Sequence, residues 1–151
     1  EKYEIEVKIA RCFSFVGPGL PLNIHYAIGN FIRDYLNGGP IYVNGDGTPE
    51  RSYLYITDLI YWLWTILAKG QPGQIYNVGS DQSVTMKDLA YLVRSCANLK
   101  CEVLFGNHST TNHCNSRYVP SIRRAREELN LDVRTHLKEA IIKSYKYYSN
   151  M

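Results

Sequence analysis

The side chains able to do chemistry are few and scattered along the chain. Cysteines stand at Cys12, Cys96, Cys101 and Cys114 with no C-x-x-C pair, and the four histidines carry no ligand spacing beside them. A structural zinc site needs such spacing to close its tetrahedron, so these cysteines read as free thiols of a reducing compartment. His25 and Asp58 are each isolated. A lone histidine more often caps a helix or faces water than moves a proton, and an aspartate at a helix start interacts with the positive end of the helix dipole. No residue is therefore assigned as catalytic. Arginine is the remaining candidate, because its planar fork donates two parallel charge-assisted hydrogen bonds to an oxyanion. Arg51 and Arg117 lie off any obvious helix face, so each is either a grip for an anionic ligand or the partner of a surface carboxylate. Arg123, Arg124 and Arg126 are interrupted by Glu127 and Glu128, the pattern of a solvated helix face.

These residues sit in 151 residues that are 45% hydrophobic and 21% charged, a composition suited to one globular core. Seventeen Lys and Arg against fourteen Asp and Glu leave a net charge of +3, with no clustered basic face. No nucleic acid partner is expected, and the thirteen tyrosines, lacking an interleaved basic stripe, read as core and rim packing rather than a stacking platform. The longest apolar stretch, Leu59 to Ala68, is far shorter than the ~20 residues that span a bilayer, so no membrane partner is expected and the chain reads as cytoplasmic. The sequon Asn107-His108-Ser109 follows no signal peptide and reads as chance.

The elements that must position these groups alternate between strand and helix. Val7 to Phe15 reads as a strand ending at Gly17-Pro18-Gly19, and apolar residues from Ile24 to Leu36 recur at helical spacing over Asn23 to Leu36. Ile41-Tyr42-Val43 and Tyr53-Leu54-Tyr55-Ile56 flank a glycine-rich loop and are expected to form a hairpin-like unit. Thr57 or Asp58 is expected to cap a helix through Lys69, and Gln74 to Val78 follows as a strand. Thr85-Met86-Lys87-Asp88 has capping-box form ahead of a helix to Ala97. Cys101 to Phe105 reads as a strand, Gly106 to Ser116 as a loop, and Ser121 to Leu129 and Arg134 to Tyr148 as helices. This is α/β organisation, with helices covering a sheet. No G-x-G-x-x-G turn occurs in the chain, so the usual dinucleotide cradle is missing from it.

Five segments, in order, resemble the carboxyl half of the extended short-chain dehydrogenase/reductase family acting on nucleotide sugars. Arg11-Cys12-Phe13-Ser14-Phe15-Val16-Gly17-Pro18 stands for that family's Arg-x-Phe-Asn-x-Tyr-Gly-Pro. Pro40-Ile41-Tyr42-Val43-Asn44-Gly45-Asp46-Gly47 stands for its Pro-Ile-x-Val-x-Gly-x-Gly. Arg51-Ser52-Tyr53-Leu54-Tyr55-Ile56-Thr57-Asp58 is similar to its Arg-Asp-aromatic-x-Tyr-Val-x-Asp, and Tyr76-Asn77-Val78-Gly79 to its Tyr-Asn-Val-Gly. Arg117-Tyr118-Val119-Pro120-Ser121, with Glu128-Leu129-Asn130-Leu131 after it, looks like the family's closing segment. Ser14, Ser52, Ser121 and Asn130-Leu131 depart from the family's Asn, Asp, Asp and Gly-Trp.

The resemblance implies a carboxyl-terminal part of a Rossmann-type α/β fold, with a small mixed substrate-binding domain and the last strands and helices of the parallel sheet. Residues 1–16 would be the last-but-one strand region, and residues 17–151 the nucleotide-sugar-binding region, with 74–98 returning to the sheet. NAD, its glycine turn and the catalytic Tyr-x-x-x-Lys would belong to the other half of an intact parent, with no cofactor on this chain. The implied activity is a sugar-nucleotide 4,6-dehydratase: oxidation at C4, elimination and hydride return. UDP-glucuronate decarboxylase and UDP-glucose 4-epimerase are the alternatives within the family, and a non-catalytic nucleotide-sugar-binding module is the alternative of another class. The expected partner is a nucleotide-diphosphate sugar. Arg51 and Arg117 would grip its diphosphate, Ser14 and Asn30 would touch phosphate, sugar or nucleotide, and Ile41, Tyr42, Val43 and Asn44 would flank the base. The intact protein is expected to be a homodimer, and the isolated chain to self-associate through sheet faces left without neighbours.

Overall fold

The computed structural model describes residues 5–96, 100–106 and 116–151. The sequon at Asn107 and the thiol of Cys114 lie outside the described residues. The described residues form four small sheets. Strand β1 (Ile9–Cys12) runs parallel to β6 (Ile75–Val78), β2 (Phe15–Val16) parallel to β5 (Leu54–Tyr55), and β3 (Ile41–Val43) parallel to β8 (Val103–Phe105). In the fourth, β4 (Glu50–Arg51) lies between antiparallel β7 (Val84–Thr85) and parallel β9 (Arg117–Tyr118). The helices are α1 (Ala27–Leu36), α2 (Ile56–Lys69), α3 (Met86–Ser95), α4 (Arg123–Leu129) and α5 (Leu137–Ser149).

Two apolar cores hold these pieces. In the first, Ile28, Phe31, Ile32 and Tyr35 form the stripe that α1 turns inward, and they meet Ile41 and Val43 of β3, Leu89 and Val93 of α3 and Ile141 of α5. In the second, Trp62 and Ile66 of α2 pack with Tyr76 and Val78 of β6 and with Ile122, Ala125 and Leu131 around α4. Helix α2 has more apolar surface than this core uses: Ile60, Trp64 and Leu67 are 50%, 67% and 61% exposed.

Three expectations are corrected. The segments around the glycine-rich loop do not form a hairpin, since β3 pairs with β8 and β5 with β2. The loop instead leads away to α3: the Gly47 carbonyl accepts from the Lys87 amide at 3.0 Å, and Gly47 holds φ +78°, where a Cβ would approach the Lys87 Cβ to 2.9 Å. Helix α1 begins at Ala27 rather than near Asn23, because tertiary contacts claim the preceding residues. Arg33 Nη1 donates to the Leu22 carbonyl at 3.2 Å, and the Tyr148 hydroxyl to the Leu20 carbonyl at 2.6 Å. Neither Thr57 nor Asp58 caps α2, whose N-cap is Tyr55 with no side-chain bond. Asp58 is 4% exposed and its Oδ2 accepts from the backbone N–H groups of Arg134 and Thr135 at 3.0 and 2.9 Å, tying α2 to the entry of α5. The cap read at Thr85 is present: its hydroxyl accepts from the Asp88 amide at 3.0 Å and donates to the Asp88 carboxylate at 2.7 Å.

Candidate functional site

Chain crossings at the ends of β2 and β5 enclose a cavity of about 350 Å³, a size at which small-ligand pockets begin. The Leu54 amide donates to the Ser14 carbonyl at 3.0 Å, which sets Phe13 to Phe15 alongside the Arg51 to Tyr53 segment. The opposite wall is the loop entering α1, with Leu20, His25 and Tyr26, held by the Tyr148 and Arg33 bonds described above. Met86, at the start of α3, closes one side, its amide donating to the Pro49 carbonyl at 3.0 Å. The lining is mostly apolar, with Ser14, His25, Tyr26, Arg51 and Tyr53 as its side chains that carry polar atoms and no carboxylate among the described residues.

The geometry of Arg51 sets the electrostatics. Its Nη1 donates to the Glu50 and Ser116 carbonyls, both at 2.8 Å, and the Ser116 hydroxyl lies 3.3 Å from both Nη1 and Nη2. The end of the fork is thus anchored to backbone, while the side edge, Nε with the remaining Nη2 hydrogen, has no partner among the described residues. Arg51 forms no ion pair among the described residues either. A half-buried, fixed cation with its bidentate edge free attracts an oxyanion. Tyr53 beside it is 9% exposed, and burial pushes its phenol up to about 12 against the opposing pull of the Arg51 charge.

Of the residues expected from the sequence, the cavity brings together Ser14 and Arg51. Arg117 stands on β9 in register with Glu50, and its Nε donates to the Glu50 carboxylate at 3.1 Å. Side chains in register on neighbouring parallel strands project to the same face. Arg117 therefore leaves the sheet with Glu50, and Arg51 leaves the other face with Tyr118, which stacks at 5.0 Å on the cavity residue Phe13. The two guanidinium groups do not meet. Asn30 lies on α1 outside the lining and accepts from Arg33 Nη1 at 3.2 Å. Ile41 and Val43 are core residues, so of the four residues Ile41, Tyr42, Val43 and Asn44 only exposed Tyr42 and Asn44 have surface to offer a base. The sequence reading missed Tyr53, Phe13, Tyr26 and Met86 as wall residues; the position of Tyr53 two residues from Arg51 was the available signal.

Among the described residues no group of three His, Cys, Asp or Glu converges as a metal site, and no helix is long and apolar enough to cross a membrane. The chain holds no G-x-G-x-x-G phosphate turn.

Residues 1–79 match the NAD dependent epimerase/dehydratase family. Among curated relatives, UDP-glucuronic acid decarboxylase 1 of Arabidopsis thaliana is 29% identical over 146 residues, covering 97% of this chain and 33% of the relative. UDP-glucuronic acid decarboxylase 1 of Danio rerio is 26% identical over 145 residues, covering 96% and 34%. Among solved structures, the UDP-glucose 4-epimerase of Thermotoga maritima, bound to UDP-glucose, superposes with a TM-score of 0.87 at 19% identity, over 99% of this chain and 48% of that one. The dTDP-glucose 4,6-dehydratase DesIV of Streptomyces venezuelae, with NAD and TYD bound, gives 0.78 at 21% identity, over 99% and 45%. The chain thus spans about a third of these curated relatives and just under half of these solved chains.

Proposed function

Because the chain belongs to the NAD dependent epimerase/dehydratase family, we propose that it is the nucleotide-sugar-binding portion of such an enzyme and that its cavity takes the diphosphate side of the ligand. One observation carries the reading: Arg51 is fixed by backbone carbonyls, has no carboxylate partner among the described residues, and keeps its side edge free in a cavity without acids. A diphosphate supplies the planar oxygen edge that this fork lacks. Ser14 lines the same cavity beside the Arg51 segment, and its hydroxyl is a further hydrogen-bond donor for the ligand. Arg117, paired with Glu50 on the other face of the sheet, lies outside the proposed grip, and that exposed pair contributes only about 0–1 kcal/mol.

The sugar nucleotide we favour is a UDP-sugar acid. The sequence alone pointed towards a dTDP-glucose 4,6-dehydratase, but the curated relatives described above are named for decarboxylation of UDP-glucuronic acid, and this supports that reaction for an intact parent. The NAD chemistry and a homodimeric parent are part of the same proposal and rest on residues other than these. Calorimetric titration of the chain with UDP-glucuronate, UDP-glucose and dTDP-glucose tests it. Binding of UDP-glucuronate ahead of dTDP-glucose is expected. Preference for dTDP-glucose would return the reading to the dehydratase, and no heat from any of the three at millimolar ligand would end it.

A further inference from the structure

Beside Arg51 the cavity holds a second polar group that the proposed grip has not used. Tyr53 is almost fully buried, yet its hydroxyl makes no hydrogen bond among the described residues. A buried polar group without a partner is costly and uncommon in folded proteins. Of the two hydroxyls without a hydrogen bond on this short segment, only that of Ser52 meets that condition. The Ser52 hydroxyl is sealed in the interior with no partner among the described residues and lines no part of the cavity. Tyr53 lines the cavity, and its hydroxyl is not among the sealed-off atoms.

We propose that the Tyr53 hydroxyl is a ligand-binding donor, giving a hydrogen bond to an anionic oxygen of the same diphosphate whose neighbouring oxygens the side edge of Arg51 takes. This rests on the reading of the cavity as the diphosphate site. Three features support it. Arg51 and Tyr53 are two residues apart and line one cavity, so both groups can reach adjacent oxygens of one ligand. The cavity offers no carboxylate to compete for the phenol proton. Burial pushes the phenol up to about 12, so near neutral pH, where a diphosphate is ionised, it is protonated and therefore a donor. A neutral donor also adds a charge-assisted bond without placing a second cation beside Arg51.

The test is Tyr53→Phe, which keeps the ring and its packing and breaks no hydrogen bond of the described structure. Titration of the wild-type chain and of Tyr53→Phe with UDP and UDP-glucuronate is read beside the thermal midpoint of each protein. The expected result is an unchanged midpoint with affinity for both ligands weakened about ten-fold or more, the usual loss for one hydrogen bond to a charged group. Unchanged affinity in Tyr53→Phe, with the wild type still binding, overturns the inference and leaves the diphosphate reading intact. A midpoint that falls together with affinity assigns Tyr53 to packing and also overturns it. Failure of the wild type to bind either ligand removes the reading itself, and this inference with it.

Discussion

Replacing Asp58 by alanine should destabilise the fold although the side chain plays no part in ligand binding. Asp58 is 4% exposed, and its Oδ2 accepts two backbone N–H bonds at 3.0 and 2.9 Å from residues 76 and 77 positions further on. Hydrogen bonds to a charged group contribute roughly 1.5–3 kcal/mol each, which sets an upper range of about 3–6 kcal/mol for the pair. Arg134 is exposed and its amide can turn to water, so about 2–4 kcal/mol is the expected loss. For a chain of this length 1 kcal/mol moves the midpoint by about 2–4 °C, so a shift of about 4–16 °C is predicted, most of it near 9 °C. Asp58→Asn keeps one carbonyl oxygen and should lose roughly half as much. Thermal unfolding followed by circular dichroism reads both variants. A shift under about 2 °C in Asp58→Ala would refute the claim that this carboxylate ties α2 to the entry of α5.

Two further outcomes follow from charges and from apolar surface. Hydrogen bonding to Arg126 holds the Asp132 carboxyl below its usual range. A lowered folded value stabilises above the unfolded pKa of about 3.9, and that contribution is lost as pH falls through the lowered value. Melting of the wild type should therefore fall below about pH 4 more steeply than melting of Asp132→Asn, by under about 1 kcal/mol because the pair is exposed; identical acid profiles would contradict this. The exposed α2 side chains Ile60, Trp64 and Leu67 should make the isolated chain self-associate, and Leu67→Lys should shift it towards monomer in size-exclusion chromatography. A sharp monomer peak for the unaltered chain at high concentration would refute that.

The parts of the structure readable from the sequence are those whose cause is local. The apolar spacing that turns Ile28, Phe31, Ile32 and Tyr35 inward marks α1, and the Thr85 hydroxyl with Asp88 three residues on marks the start of α3. What the sequence hid depends on distant partners. β3 pairs with a strand about sixty residues later, so the glycine-rich loop after it looked like a hairpin turn. Asp58 stood where a helix cap would stand, and its actual partners lie beyond α4. At the site, Arg51 and Ser14, named from residue type and motif order, both line the cavity. The register that sends Arg117 to the opposite face from Arg51, and the place of Tyr53 in the cavity wall, are set by pairing between segments far apart in the chain.

The central claim is that one backbone-anchored guanidinium holds the ligand's diphosphate. Calorimetric titration of UDP-glucuronate into the Arg51→Ala chain measures it most directly, with Arg117→Ala beside it. Loss of the two charge-assisted bonds from the free side edge, at roughly 1.5 kcal/mol or more each, predicts affinity weakened about a hundred-fold in Arg51→Ala. The Arg117→Ala change should cost no more than about five-fold, in keeping with its exposed pairing. Wild-type affinity in Arg51→Ala would contradict the account.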